Sequence, residues 1–249
     1  MNEIITIEVC AGSLEDALAA YEGGAQRIEL NSALSVGGLS PSLYALTETK
    51  KRTSLEVICM VRPRAAGFCY SEIEKNVMIE EAKCFLEHGA DGIAFGFLNA
   101  DRTIDTQWTK KMVELIHSYE KTAVFHRAVD VVSDYESAFE TLVDLGVDRV
   151  LTSGTHAKAI DGADRIQAMQ ERFADQIEIL PGSGVNAQNA RSLIERTGTD
   201  QVHSSCKGYR ADPTTSGSRV SYAYLSDGHE NEYDIVEVSR VRALVEAVK

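Results

Sequence analysis

A five-residue pattern recurs four times along this chain of 249 residues: glycine, a small residue, a polar residue, any residue, then isoleucine or valine. It reads Gly24-Ala25-Gln26-Arg27-Ile28, Gly89-Ala90-Asp91-Gly92-Ile93, Gly146-Val147-Asp148-Arg149-Val150 and Gly198-Thr199-Asp200-Gln201-Val202, with the glycines 65, 57 and 52 residues apart. Each instance has the form of a helix stop feeding a strand start, because glycine takes the left-handed conformation that closes a helix. The intervals are twice the spacing of the short β-branched runs, which begin near Ile4, Arg27, Leu55, Gly92, Thr122, Arg149, Ile177 and Gln201. Eight strands alternating with eight amphipathic helical stretches, in four similar pairs, predict an α/β chain folded as one (β/α)8 TIM barrel over residues 1–249. A doubly wound open sheet shares the alternation, but no G-x-G-x-x-G follows the first strand. Helix starts are expected at Ser13, at Ser40 with Pro41 in the first turn, at Ser71 with Glu74, and at Ser133 with Glu136, where a side-chain oxygen meets an orphan N–H.

Alternate residues of a barrel strand point to the axis and to the helices, so polar residues of one parity mark the interior. In the first strand Thr6, Glu8 and Cys10 share the inward parity, and in the second Glu29 and Asn31 do. Ile58, Met60 and Arg62 are inward in the third, Val124, His126 and Asp130 in the fifth, and His203 and Ser205 in the eighth. These groups fall near the carboxyl ends of the strands, where barrel enzymes keep their chemistry. Two buried carboxylates need cations or donors, and Arg62, Arg64, His126 and Arg127 are the candidates. The bland reading is a structural ion network at the barrel mouth; the number of ionisable types favours a functional pocket.

After the seventh strand, Gly182-Ser183-Gly184-Val185-Asn186 offers backbone N–H groups in the region where barrels often hold phosphate, and His203 to Lys207 add hydroxyls and a cation. Ser153 in Thr152-Ser153-Gly154 adds a donor at the sixth strand. Residues from about 207 to 234 are polar and form a long loop before the last helix, either a lid or a mobile connection. His88, His117, His156 and His229 lie on helix or loop patterns and are read as packed or solvated.

A formal charge of -13 repels phosphate backbones and anionic lipid, so nucleic acid and membrane surfaces are poor partners. No apolar run reaches the length of a spanning helix and the start has no leader pattern, which predicts a cytoplasmic protein. The five cysteines, at 10, 59, 69, 84 and 206, are widely spaced without a C-x-x-C pair; they read as reduced thiols with no local zinc motif.

Seven runs in order, Ile7-Glu8-Val9-Cys10, Arg27-Ile28-Glu29-Leu30, Gly37-Gly38-Leu39-Ser40-Pro41-Ser42, Met60-Val61-Arg62-Pro63-Arg64, Phe68-Cys69-Tyr70-Ser71, Phe125-His126-Arg127-Ala128 through Asp130, and Leu151-Thr152-Ser153-Gly154, together resemble the CutC family of copper homeostasis proteins. The resemblance implies a cytoplasmic (β/α)8 barrel with a role in copper handling. It also marks a departure, because the family often has cysteine in the second strand where this chain has Asn31. Copper(I) prefers thiolate and thioether ligands, and Cys10 with Cys69 is the best pair on offer as a metal site.

The residues themselves point to an alternative: an enzyme, a lyase, isomerase or hydrolase, acting on a small anionic metabolite, phosphorylated or not. In that reading Glu8 or Glu29 is the general base, His126 a proton donor, Asp130 its orienting group or that of an arginine, Arg62 and Arg64 the anion clamp, and Gly182 and Gly184 backbone donors. Arg127, Ser153, His203 and Ser205 complete the anion-binding set. The partner is then copper ion or an anionic metabolite. A scaffold whose mouth residues merely pair is the third reading, and whether the chain is a homo-oligomer is left open.

Overall fold

A computed structural model describes residues 5–249; the strand start expected near Ile4 lies outside the described residues. Eight parallel strands, β1 (Thr6–Ala11), β2 (Arg27–Leu30), β3 (Glu56–Met60), β4 (Gly92–Phe95), β5 (Thr122–Phe125), β6 (Arg149–Thr152), β7 (Glu178–Pro181) and β8 (Gln201–Ser204), pair in the order β7-β6-β5-β4-β3-β2-β1-β8. A parallel bridge between Gly182 and His203 spans the remaining gap, so the sheet curls into a nearly closed barrel. The helices α1 (Leu14–Gly23), α2 (Leu43–Arg52), α3 (Glu72–Glu87), α4 (Thr106–Ser118), α5 (Tyr135–Asp144), α6 (Ala163–Phe173), α7 (Ala190–Thr197) and α8 (Val238–Val248) follow the strands in turn. This is the single (β/α)8 barrel that the fourfold repeat predicts. The repeat works as expected at α1 and α7, where Gly24 (φ 95°) and Gly198 (φ 71°) close the helix before the next strand.

Two of the four expected helix starts hold. The Ser13 hydroxyl accepts the Asp16 N–H, and Ser71 with Glu74 forms a reciprocal capping box. The other two shift along the chain. Ser42 caps α2, because the Ser40 hydroxyl is occupied at the foot of the barrel mouth, donating to Glu81 and accepting the Arg62 N–H at 3.0 Å. Asp134, whose carboxylate accepts from Ser137, takes the place of Ser133 at α5.

The core has two compartments. Outward-facing strand residues such as Ile7, Val9, Ile28, Leu30, Val57, Phe95, Phe125 and Val202 are buried against the helices in one continuous apolar layer. Each such side chain contributes about 1.5–3 kcal/mol through removal from water. The barrel axis holds a separate plug of four residues, Ile58, Met60, Ala94 and Val124. At the amino-terminal ends of the strands lies a charged network: Arg27 Nε donates to Glu8 Oε2 at 2.5 Å, Arg27 Nη2 to Gln201 Oε1 at 2.5 Å, and Arg149 Nε to Glu178 Oε2 at 2.6 Å. Glu56 reaches both arginines at 3.8–3.9 Å. The cations expected to meet Glu8 were Arg62, Arg64, His126 and Arg127; its partners are instead Arg27 and His203. The strand register explains this, since Glu8 lies beside Arg27 of β2 on one side and His203 of β8 on the other.

The segment expected as a loop of about 207–234 carries strands at both its ends. β9 (Lys207–Ala211) and β10 (Glu232–Val236) pair as an antiparallel ribbon, with the polar residues between them at its far end. The ribbon is fastened to α1, where Asp16 accepts the Val236 N–H at 2.7 Å and Glu15 pairs with Arg210 at 2.9 Å.

Candidate functional site

A cavity of about 450 Å³ opens at the carboxyl ends of the strands, lined by Cys10, Glu29, Met60, Arg62, Phe68, His126, Arg127, His203, Ser205 and Lys207 together with Leu34, Gly37, Leu151, Ser183 and Gly184. The parity of β1, β2, β3 and β8 delivers Cys10, Glu29, Met60 and His203 to its floor. Sequence reasoning did not single out Phe68 or Gly37 as pocket residues, because both lie in loops where no alternation operates.

One side of the cavity holds a mixed cluster. A ligand-type atom from each of Cys10, Glu29 and His203 lies within 4.8 Å of the others. Cys10 Sγ is 3.9 Å from Glu29 Oε2, which also accepts from Asn31 Nδ2 at 3.0 Å. Behind the cluster, His203 Nδ1 is 2.7 Å from Glu8 Oε1. Burial pushes the Glu8 carboxyl up, but the Arg27 guanidinium and His203 outweigh it and hold the group well below the usual carboxylate range. For His203, burial opposes the charge, whereas Cys10, Glu8 and Glu29 favour it and raise its pKa well above the ordinary value. Glu29 and Cys10 are both raised, chiefly by burial. Glu8, locked between two cations, is therefore an orienting group for His203 and is poorly suited to be the general base; Glu29 is the carboxyl that faces the cavity.

The other side is built around Arg62 and Phe68. Arg62 is buried, yet among the described residues no carboxylate pairs with it. Its Nη1 donates to the carbonyls of Val36 (3.0 Å) and Gly38 (2.9 Å), its Nη2 to Ala66 (2.6 Å), and its guanidinium carbon lies 5.3 Å from the Phe68 ring centroid. His126 packs on the same ring, at 4.9 Å between centroids. Its Nδ1 accepts the Ala128 N–H at 3.2 Å, which places the proton on Nε2, and Nε2 is buried without a partner. Burial, helped by nearby Arg62, pushes the imidazole pKa down to about 3. His126 is thus held neutral at pH 7 with an unpartnered Nε2–H, so a role as proton donor would fall to the neutral ring. It caps a short 3-10 helix, Arg127–Val131, which carries Asp130 off the strand and away from the axis.

Asp130 does not touch His126. It accepts from Thr152 Oγ1 (2.6 Å), from the N–H groups of Ser153 and Thr155 (3.0 and 3.1 Å) and from Arg127 Nε (2.8 Å), so it ties the loop after β6 and aims Arg127, the other role considered for it. Ser153 is fully buried within that knot, where its hydroxyl receives Arg127 Nη2 at 2.8 Å. Arg127 lines the cavity, as its place in the anion-binding set requires, because the chain has left the strand by then. Arg64 does not join Arg62 in a clamp: it pairs with Glu74 at 2.5 Å and binds the carbonyls of Ala65, Gly67 and Cys69, bracing the loop between β3 and α3. The Gly182 N–H is taken by Thr152 O at 2.9 Å, which removes it as an anion donor, whereas Gly184 (φ 70°) does line the cavity. Cys69 is exposed in the same β3–α3 loop and does not line the cavity that holds Cys10. A neighbouring cavity of about 500 Å³ between the loops after β7 and β8 shares Gly184, Ser205 and Lys207. Its cations are paired, Lys207 with Asp234 and Arg240 with Glu237.

A (β/α)8 barrel with a pocket of mixed apolar and charged lining at the carboxyl ends of its strands is the class of protein these observations define. The chain belongs to the CutC family, whose model matches residues 5–208. A CutC family protein of Treponema denticola is 47% identical over 245 residues, 98% of each chain, and one of Glaesserella parasuis is 35% identical over 242 residues, covering 97% of this chain and 98% of the relative. The crystal structure of a CutC from Streptococcus agalactiae, described in terms of copper homeostasis, superposes with a TM-score of 0.76 at 31% identity, over 81% of this chain and 99% of that one. Phosphoribosyl anthranilate isomerase from Thermotoga maritima shares the fold alone, with a TM-score of 0.59 at 12% identity over 98% of each chain. No helix among the described residues is long and apolar enough to cross a membrane.

Proposed function

We propose that the barrel mouth binds a small anionic metabolite and that the chain is an enzyme working on it by proton transfer. The observation that carries this reading is Arg62, a buried guanidinium that faces the cavity with carbonyl partners and no carboxylate. A buried cation costs several kcal/mol unless an anion meets it, and here a ligand is the natural counter-charge. His126 Nε2–H supplies a neutral donor beside the same phenylalanine, suited to a carbonyl or carboxylate oxygen. In the metal-free chain, Glu29, Cys10 and His203 stand across the cavity as the groups able to exchange protons with the bound molecule. In a chain of formal charge -13, a buried Arg62 with no carboxylate partner among the described residues is a feature of the site and not of the overall composition. Five free cysteines fit a reducing compartment, and the cytosol is the location this reading takes.

The test is a thermal-shift and calorimetric titration of the metal-free chain with inorganic phosphate and oxalate. Saturation at 100 times Kd stabilises by about 2.7 kcal/mol, which in a chain of this size raises Tm by roughly 5–10 °C. Arg62→Gln abolishes the shift and His126→Asn weakens it. An equal shift in parent and Arg62→Gln refutes the reading. Copper handling, the role attached to the Streptococcus agalactiae relative, is a second reading favoured by one observation: Cys10 and Met60, a thiol and a thioether, line the same cavity.

A further inference from the structure

We infer that Cys10, Glu29 and His203 form a three-ligand site for a borderline divalent cation of the zinc type, with a fourth coordination position open to the cavity. The three side chains come from β1, β2 and β8, adjacent strands whose registers pair Cys10 with Glu29 and bring Glu8 beside His203. Ligand atoms around a tetrahedral zinc stand roughly 3.2–3.8 Å apart, given bond lengths of about 2.0–2.3 Å. Cys10 Sγ and Glu29 Oε2 are 3.9 Å apart and the whole set lies within 4.8 Å, so small rotations about side-chain bonds close it around an ion.

The surroundings have the character of an outer shell. Glu8 holds His203 through Nδ1 at 2.7 Å, which leaves Nε2 as the metal-binding nitrogen, and Arg27 fixes Glu8 from behind at 2.5 Å. Asn31 Nδ2 orients the Glu29 carboxylate at 3.0 Å. A carboxylate–histidine–metal relay of this kind conventionally sets the tautomer and orientation of the ligating ring. All three ligand residues line one cavity wall, with Arg62 and His126 on the same cavity, so an anion could occupy the open position and meet both.

The donor set argues against copper(I). That ion favours two or three soft ligands, and here a single sulfur is joined by a carboxylate oxygen and an imidazole nitrogen, a set that suits zinc. Cys69, the expected second sulfur, is exposed in the β3–α3 loop. A copper(I) site would instead recruit Met60 and dispense with Glu29, which gives the two ions different fingerprints.

The full-length reduced chain is titrated anaerobically with Zn2+ and, separately, with Cu(I), each against a chromophoric chelator. The expected result is one tightly held Zn2+ per chain, weakened at least 100-fold in Cys10→Ser, Glu29→Gln and His203→Gln and unchanged in Cys69→Ser and Met60→Leu. Glu8→Gln, which keeps all three ligands, is expected to weaken binding 10–100-fold. Co2+ added to the parent chain provides a readout independent of any variant: a thiolate-to-metal band in the near ultraviolet and intense visible bands of a four-coordinate ion. No stoichiometric Zn2+ and no such bands overturns the inference. So does Cu(I) binding that needs Met60 but not Glu29. Phosphate binding to the metal-free chain is measured alongside, so failure of the metal site and failure of the anion reading are separate results.

Discussion

Replacing Arg27 by methionine removes the nearer of the two cations that hold Glu8, in a place that water does not reach. Arg27 is 3% exposed and Glu8 2%. The guanidinium also donates to Gln201 Oε1 at 2.5 Å, and that acceptor retains no other close donor in the network once the arginine is gone. Breaking a buried ion pair from one side costs about 3–5 kcal/mol, because the surviving charge stays desolvated. His203 remains 2.7 Å from Glu8 and keeps part of the compensation, which places Arg27→Met near the lower end, about 3 kcal/mol. In a chain of this length that is a fall in Tm of roughly 6–12 °C. Chemical denaturation at pH 7 with a far-ultraviolet probe measures it. The companion variant Arg27→Met with Glu8→Gln leaves a neutral amide in place of the stranded carboxylate and is expected to recover at least half of the loss. A cost below about 1 kcal/mol for the single variant, or a double variant no better than the single, would refute the assignment of this pair as a buried charge balance.

Two further outcomes follow from the pocket wall. A Cβ at Gly96 would stand 2.5 Å from His126 Cε1 and 2.8 Å from Ala128 Cβ, so Gly96→Ala displaces the imidazole, costs about 1–3 kcal/mol and weakens phosphate binding without altering any donor directly; wild-type affinity in this variant would contradict the role given to His126. His126 also predicts a pH dependence. Its pKa falls from 6.5 to about 3 on folding, so the unfolded chain takes up a proton first as the pH drops. The neutral ring's contribution is complete above pH 6.5 and is lost progressively toward pH 3, to the extent of a few kcal/mol. The stability difference between parent and His126→Asn, followed by urea denaturation from pH 7 to pH 4, is expected to shrink; a constant difference would show that His126 is not held neutral.

The fold was legible because its signals are local. A glycine that closes a helix just before a strand works through four or five residues, and at Gly24 and Gly198 the structure uses it as the sequence suggests. Strand parity likewise placed Cys10, Glu29, Met60 and His203 on the axis. The same parity contained the Glu8 partner unnoticed: Arg27 is two residues before Glu29 and Gln201 two before His203, so both had to point inward. That network is built at the amino-terminal ends of the strands, opposite the carboxyl ends where barrel chemistry is expected. Parity failed where the strand ended, since the turn at His126 swings Asp130 to the β6 loop and Arg127 into the cavity. The Cys10, Glu29 and His203 cluster was beyond reach for another reason. Local zinc motifs place ligands a few residues apart, whereas these three are 19 and 174 residues apart in sequence and meet only through barrel closure.

The ribbon of β9 and β10 bears on how this chain can change length. It leaves the barrel at β8 and returns at Val236, where Asp16 on α1 receives it, just before α8 packs its Val241 against the bare backbone of Gly23. One anchor, Asp16 to Val236, is at the base of the ribbon and the other, Glu15 to Arg210, lies further along it opposite Tyr233, and the loop beyond the ladder carries exposed residues such as Val220 and Tyr222. The entropy of closing such an excursion grows only logarithmically, about 0.6 kcal/mol for each doubling. The stretch between Asp212 and Asn231 is therefore a place where a reporter peptide or a small domain can be grafted with little effect on folding, while the same insertion between β6 and α6 would cut through the Asp130 knot.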